Sequence, residues 1–357
     1  MAADIPPRYR STTEYCFSEE QADAIVDVVA SKRSDFRLAV ISFPPGEHDT
    51  IRQSIATPFR RAAENDASTG LGNLSHLPLE ILQELLPHMD MTSLFTLRQA
   101  NLSSRRAVDS LPQYRAVTSH GLDVFCALLR TRLAADVSLL DFYDALCSKA
   151  CALCGGEFAE FVLLLAWGRC CFSCFYKDVP EARVQALDSV RSQFSLTTTE
   201  AGQLRSFETL PGTYSMDATE DEVRTTVVPA RQVETLFRGR PRLLYQRRQP
   251  PPQPGWPILH LPSRARSARL RFMAACALPH YDKRTGQTEY GVACAACCQL
   301  AVQEPPVSLA ATSKWAYEAY ERVYSRLGFL EHFRWCRRAQ DEWTWANEGG
   351  RAKLAIP

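Results

Sequence analysis

Between Leu74 and Tyr114 the apolar residues fall into a helical rhythm, LSHLPLEILQELLPHMDMTSLFTLRQANLSSRRAVDSLPQY. Leu79, Ile81, Leu82, Leu85, Leu86 and Met89 recur at steps of three and four, which predicts a short helix with one apolar face. Pro78 suits a first helical position, where its missing N–H is no loss, and Pro87 stops or kinks the helix after about two turns. A second helix carrying Leu94 and Leu97 is expected next, capped by Thr92 or Ser93. Leu102 through Val108 and Leu111 give a third before Pro112. Helices this short cannot bury all their leucines among themselves.

The same reading assigns a helix to Ala22 through Val29 and a strand to Leu38 through Phe43, ended by Pro44-Pro45-Gly46. Leu122 to Leu133 and Val137 to Leu146 read as two buried helices, and FAEFVLLLAWG reads as an apolar hairpin. The polar run AAENDASTGLGN reads as a tether. The expected fold is mainly α. Residues 1–70 form an N-terminal leader, partly flexible; 71–115 form the helical module; 116–350 form an irregular α-rich domain.

A chain of 357 residues that is 46% hydrophobic has room for two or three domains with real cores. A net charge of +1 argues against whole-molecule attraction to nucleic acid or to an anionic membrane. The opening MAADIPPRYR lacks the apolar core of a secretory signal, and no run approaches the roughly 20 apolar residues of a membrane span. The expected location is therefore intracellular, cytoplasmic or nuclear. Thirteen cysteines in a reducing compartment point to metal ligands or buried thiols more than to disulfides.

Cys151-Ala152-Leu153-Cys154 precedes the hairpin and Cys171-Phe172-Ser173-Cys174 follows it. Each C-x2-C pair turns two sulfurs inward, and two pairs complete the tetrahedral shell that zinc prefers. Four thiolates imply a structural site. Cys170 competes with Cys171, which is preferred because it forms C-x2-C with Cys174. Gly155 and Gly156 free the backbone amides to turn toward the sulfurs.

A second pair, Cys294 and Cys297, needs more distant partners. In FLEHFRWCRRAQDEW, His332 and Cys336 stand four residues apart on one expected helix, beginning after Gly328, which also ends the preceding helix. Cys276 and His280 offer another completion, with a geometry that Pro279 makes harder to foresee. The expected cofactor is structural zinc, two ions per chain.

The helical module resembles the F-box. Leu77-Pro78-Leu79-Glu80-Ile81-Leu82 is similar to that family's opening, Leu94, Leu97 and Asn101 to its middle, and Arg106, Val108 and Leu111 to its fungal-style ending. The cysteine-rich part also resembles an expanded group of fungal F-box proteins. They share a CxxCGG…RCCxxC block, a GVxCxxC segment like Gly291–Cys297 and a terminal FLxHFxxC like Phe329–Cys336. Ala296 departs from the glycine often found in the second block, and Pro87 lies late in the first docking helix.

The resemblance covers about residues 74–346 and supports pairing Cys294 and Cys297 with His332 and Cys336. It implies a three-helix F-box in which Leu77, Pro78, Ile81, Leu82, Leu85, Leu94 and Leu97 bind a Skp-type adaptor on a cullin scaffold. The remaining chain would select a protein substrate not named by the sequence. No catalytic chemistry is expected, because both clusters are full at four ligands and no phosphate loop, HExxH or nucleophile elbow is present.

A zinc-containing nucleic-acid-binding or transcription-related protein is the alternative. It draws on residues 238–271, which hold nine arginines and no acidic residue. Neither cysteine cluster lies on a basic recognition helix, and aromatic residues are not interleaved with these arginines, so a Pro-rich solvated loop is the preferred reading.

Overall fold

The computed structural model describes residues 5–43, 49–56, 70–156, 158–177, 179–238, 269–303 and 311–347. Most of the expected tether and of the arginine-rich loop lie outside the described residues. The fold is mainly α, as expected: helices predominate, and the strands run two to four residues in sheets of two or three. Among the described residues no helix is long and apolar enough to cross a membrane.

Three short helices occupy the leucine-rich region, at Leu79–Leu85, Met91–Ala100 and Leu102–Ser110. Pro78 is the N-cap, one residue outside the helix, and Pro87 falls in a tight turn at Leu86–His88. The second helix is capped by Asp90, not Thr92 or Ser93. Its extended backbone leaves the carboxylate free to accept from the Ser93 N–H at 2.9 Å. Asn101 ends this helix and caps the next, accepting from Ser104 N–H at 2.8 Å.

The second and third of these helices share one core with the elements C-terminal to them, through Met91, Leu94 and Val108, with Leu111 at the end of the third. The Asp49–Ala56 helix is locked to them by polar contacts. Buried Arg98 pairs with Asp109 at 2.6 Å and donates to the Ser54 carbonyl at 2.6 Å, and the Tyr114 hydroxyl donates to the Ile55 carbonyl at 3.2 Å. The expected buried helices appear at Leu122–Thr131 and Leu139–Cys147.

The hairpin forms from Phe161–Leu163 and Gly168–Cys170, and Ala275–Ala277 joins the free edge of Phe161–Leu163 antiparallel. The strand expected at Leu38–Phe43 does not form. Ser34–Leu38 is helical, and Ile41 alone makes an isolated bridge to Cys276. Val40, Ile41 and Phe43 are buried, so their apolar run reflects depth in the core and not ladder pairing. A smaller core of Val190, Phe194, Leu196, Leu204, Val228, Val233 and Phe237 lies apart from the main one.

The residues read as a leader are built into the C-terminal end. Ala30–Ser31 pairs antiparallel with Ala293–Cys294, and Arg10 bridges Cys336. Tyr9 stacks on Trp315 with centroids 5.4 Å apart, and Tyr15 and Phe17 meet Phe333 edge-on. The apolar stripe Ala22, Ile25 and Val29 of the Glu19–Val29 helix is buried.

Candidate metal centres

The structure brings the eight expected ligands into two groups. In each, the four ligand atoms lie within 4.8 Å of one another, so both groups are able to hold a metal ion.

In the first group, Cys151 and Cys154 lie in the tight turn after the Leu139–Cys147 helix. Cys171 caps the Phe172–Tyr176 helix and Cys174 lies within it. The antiparallel hairpin carries the second pair back over the first. Cys154 Sγ and Cys171 Sγ are 3.7 Å apart. A tetrahedral shell with sulfur about 2.3 Å from the cation requires about 3.8 Å between sulfurs.

Of the two glycines, Gly156 turns its amide to a sulfur, donating to Cys154 at 3.3 Å, while Gly155 N–H donates to the Cys151 carbonyl at 2.9 Å; Cys171 N–H donates to the Cys151 sulfur at 3.4 Å. A Cβ on Gly156 would sit 3.1 Å from the Cys154 sulfur. Cys170 is buried, and its thiol donates to the Cys171 carbonyl at 3.4 Å. It stands outside the four-ligand set.

In the second group, Cys294 ends the short strand paired with Ala30–Ser31, and Cys297 lies in the first turn of the Ala295–Gln303 helix. Cys297 Sγ is 3.5 Å from His332 Nε2 and 3.7 Å from Cys336 Sγ. All four side chains are buried. Tyr324, also buried, places its hydroxyl 3.3 Å from His332 Nδ1, which orients the ring with Nε2 toward the sulfurs. Gly291 (φ +71) is required nearby, because a Cβ there would meet Val323 at 2.6 Å and Phe158 at 2.7 Å.

The single terminal helix expected here is two. Arg326–Phe333 carries His332, a turn intervenes, and Arg337–Asn347 begins after Cys336. The Cys336 N–H still donates to the His332 carbonyl at 3.0 Å, so the four-residue spacing keeps its helical closure through the break. Gly328 ends no helix. It lies inside Arg326–Phe333, whose cap is Ser325, and the preceding helix stops at Glu321. The Cys276 and His280 completion does not form: Cys276 is in the three-stranded sheet, and its thiol donates to the Ile41 carbonyl at 3.2 Å.

Hydrogen bonds from Cys170 and Cys171 hold the Cys151 thiol well below its usual range, while burial pushes Cys174 up to about 12. In the second group, hydrogen bonds from Cys294 and Cys297 depress Cys336 and the same network raises Cys297. A bound cation needs every thiol ligand deprotonated. Metal uptake then releases protons and weakens as pH falls.

Arg169 ties the first centre to the rest of the core. Its buried guanidinium donates to the carbonyls of Ala145 (3.1 Å), Pro279 (2.9 Å), Leu278 (2.7 Å) and Ala159. Burial lowers its pKa to about 10, so it remains charged at neutral pH. Arg169→Ala is expected to cost about 3–5 kcal/mol, because several buried carbonyls lose a charged donor. A urea midpoint equal to wild type would contradict this.

Glu160 is buried beside it, and desolvation raises its carboxyl to about 8. Unfolded, this group loses its proton near the ordinary carboxylate range; folded, it keeps it to about 8. The native state therefore binds the extra proton across that window, and stability falls by up to about 1.4 kcal/mol per pH unit as pH rises. Glu160→Gln removes the titration. The difference in urea stability between Glu160→Gln and wild type is expected to grow in favour of the variant from pH 5 to pH 8, and a flat difference would refute the assignment.

The adaptor-binding leucines expected from sequence divide between surface and interior. Leu77 (36% exposed), Ile81 (40%) and Leu85 (52%) face outward with Pro78, and Leu74 (36%) extends their line. Leu82 (4%) and Leu94 (0%) are inside this chain's own core, and Leu97 is half-buried against it. Leu82 sits about 100° around the helix from Ile81, which turns one side chain in and its neighbour out. The apolar series thus wraps two faces of the helix. Leu74 escapes the helical spacing because it precedes the helix, in a tight turn at Gly72–His76.

Searches of family models, curated proteins and solved structures find no match to this chain.

Proposed function

We propose that this chain is the substrate-recognition subunit of a cullin-RING ubiquitin ligase. Residues 71–115 act as the F-box that docks a Skp-type adaptor, and the metal-bearing remainder holds a protein substrate. The observation that carries this reading is the exposed apolar line of Leu77, Ile81 and Leu85, at and just before a helix in a stretch whose sequence is similar to the F-box opening. Three large exposed apolar side chains, Ile81 and Leu85 on the helix and Leu77 just before its cap, gain about 1.5–3 kcal/mol each when another polypeptide covers them. The docking set is Leu74, Leu77, Pro78, Ile81 and Leu85; Leu82 and Leu94 serve the interior.

The chain performs no covalent chemistry on this reading. It holds the substrate close to the charged ubiquitin-conjugating enzyme and so raises the local concentration of acceptor lysines. The two metal centres hold structural zinc. A set of four cysteines, and one of three cysteines with a histidine, are the soft, tetrahedral donor sets that zinc favours, and four protein ligands leave no position for a reacting water.

Capture of a purified Skp-type adaptor by the zinc-loaded full chain tests the proposal, beside a known F-box protein as control. Absence of capture where the control succeeds would overturn it. Metal analysis is expected to return two zincs per chain.

A further inference from the structure

The two centres differ in what can reach them. All four ligand side chains of the second are buried, whereas in the first Cys154 is exposed and Cys171 and Cys174 are partly so. Cys154 projects from the turn closed by Gly155 (φ +67), and its sulfur lies 3.7 Å from that of Cys171. A shift of roughly 1.7 Å would bring these two sulfurs to the disulfide length of about 2.0 Å. We propose that the first centre is a thiol-modification site, at which Cys154 is oxidised by hydrogen peroxide and the oxidation ejects the metal.

The chemistry balances without another reactant. The Cys154 thiolate attacks one peroxide oxygen, the O–O bond breaks, hydroxide leaves and the sulfur becomes a sulfenic acid. The Cys171 thiolate then attacks that sulfur, the S–O bond breaks and a second hydroxide leaves. Two thiolates have given up two electrons, and peroxide has become two hydroxides. Cys151 and Cys174 alone cannot keep a tetrahedral ion. Cys170, buried alongside and not a ligand, stays a thiol. The second centre has no comparable approach, because Tyr324, Phe329 and the paired Ala30–Ser31 segment enclose it.

This inference rests on the zinc reading above, and one experiment separates their failures. The zinc-loaded full chain is titrated with hydrogen peroxide, zinc release is followed with a chromophoric chelator, and thiols are mapped by mass spectrometry. The expected result is release of one zinc of two, a Cys154–Cys171 disulfide, and unmodified Cys294, Cys297 and Cys336. Cys154→His, which preserves four ligands, is expected to keep both zincs and slow the release by about tenfold or more. Cys16→Ser, at an exposed cysteine outside both groups, is expected to change nothing.

A chain that binds fewer than two zincs overturns the zinc reading and this inference with it. A chain that binds two, yet is first oxidised at the second centre or forms a disulfide that omits Cys154, overturns this inference alone. So does a Cys154→His variant that binds two zincs and releases one at the wild-type rate.

Discussion

Cys294→Ser is expected to abolish one metal site and unfold the C-terminal half of the chain. The residue is fully buried, ends a strand and faces Cys297, His332 and Cys336, so the set joins two chain segments more than 30 residues apart. A structural zinc contributes about 10–16 kcal/mol to folding, while a domain's net stability is about 5–15 kcal/mol, so losing it reverses the sign of folding. Chelation of the wild-type protein, or acidification enough to reprotonate the thiols, should have the same outcome. Cys276→Ser is the control, since that thiol is equally buried but donates only to the Ile41 carbonyl. Metal content and thermal unfolding decide the matter: a Cys294→Ser protein with two bound ions and a wild-type melt would refute the account.

Replacing Leu77, Ile81 and Leu85 together by Asp is expected to abolish adaptor capture while the fold persists. Three covered apolar side chains correspond to a loss on the order of a thousandfold or more in affinity. Exposed substitutions of this kind stay within about 0.5 kcal/mol each in stability. Leu94→Asp should behave in the opposite order, unfolding the chain by placing an unpaired carboxylate in the core. Capture assays run beside melting curves separate the two. Adaptor binding retained by the triple variant, or a triple variant as unstable as Leu94→Asp, would remove the surface from the proposal.

Much of the local organisation is legible in the sequence because it depends on near neighbours. Proline positions and leucine spacing place the three short helices to within a residue or two, and C-x2-C pairs flanking an apolar hairpin mark the first centre. Even the second centre, with ligands far apart in sequence, follows from pair spacing and from the resemblance. What escapes is nonlocal. Nothing in Ala30-Ser31 announces a partner at Ala293-Cys294, and two residues of ladder leave no alternating pattern to read. Most of the run from Ala39 through Phe43 has strand composition because it is buried, and burial alone does not supply a neighbour to pair with.

The same limit explains the leucines and the terminal helix. Spacing defines an apolar stripe but not its breadth, so Leu82 and Ile81 read alike although one is inside and the other outside. The break between Phe333 and Arg337 lets Arg10 bridge Cys336, while Ser11 and Tyr15 N–H groups reach the Trp335 and Arg334 carbonyls, both at 3.0 Å. An uninterrupted helix would have used those carbonyls itself. The approach of the distant segment at Ser11–Tyr15, together with Gln340 Nε2 donating to the Phe333 and Arg334 carbonyls at 2.9 Å, makes the interruption favourable.

That approach orders events during translation. Ser11 and Gln340, which hydrogen-bond, are 329 residues apart in sequence. At about 5–20 residues per second, a nascent chain emerges for roughly 15–60 s with Ile25 and Val29 still lacking the surface that covers them. The first centre, its ligands confined to 151–174, can assemble as soon as that stretch leaves the ribosome. The second cannot close until Cys336 arrives, so the Glu19–Val29 helix, translated about 300 residues before the surface that covers it, is among the last elements to settle.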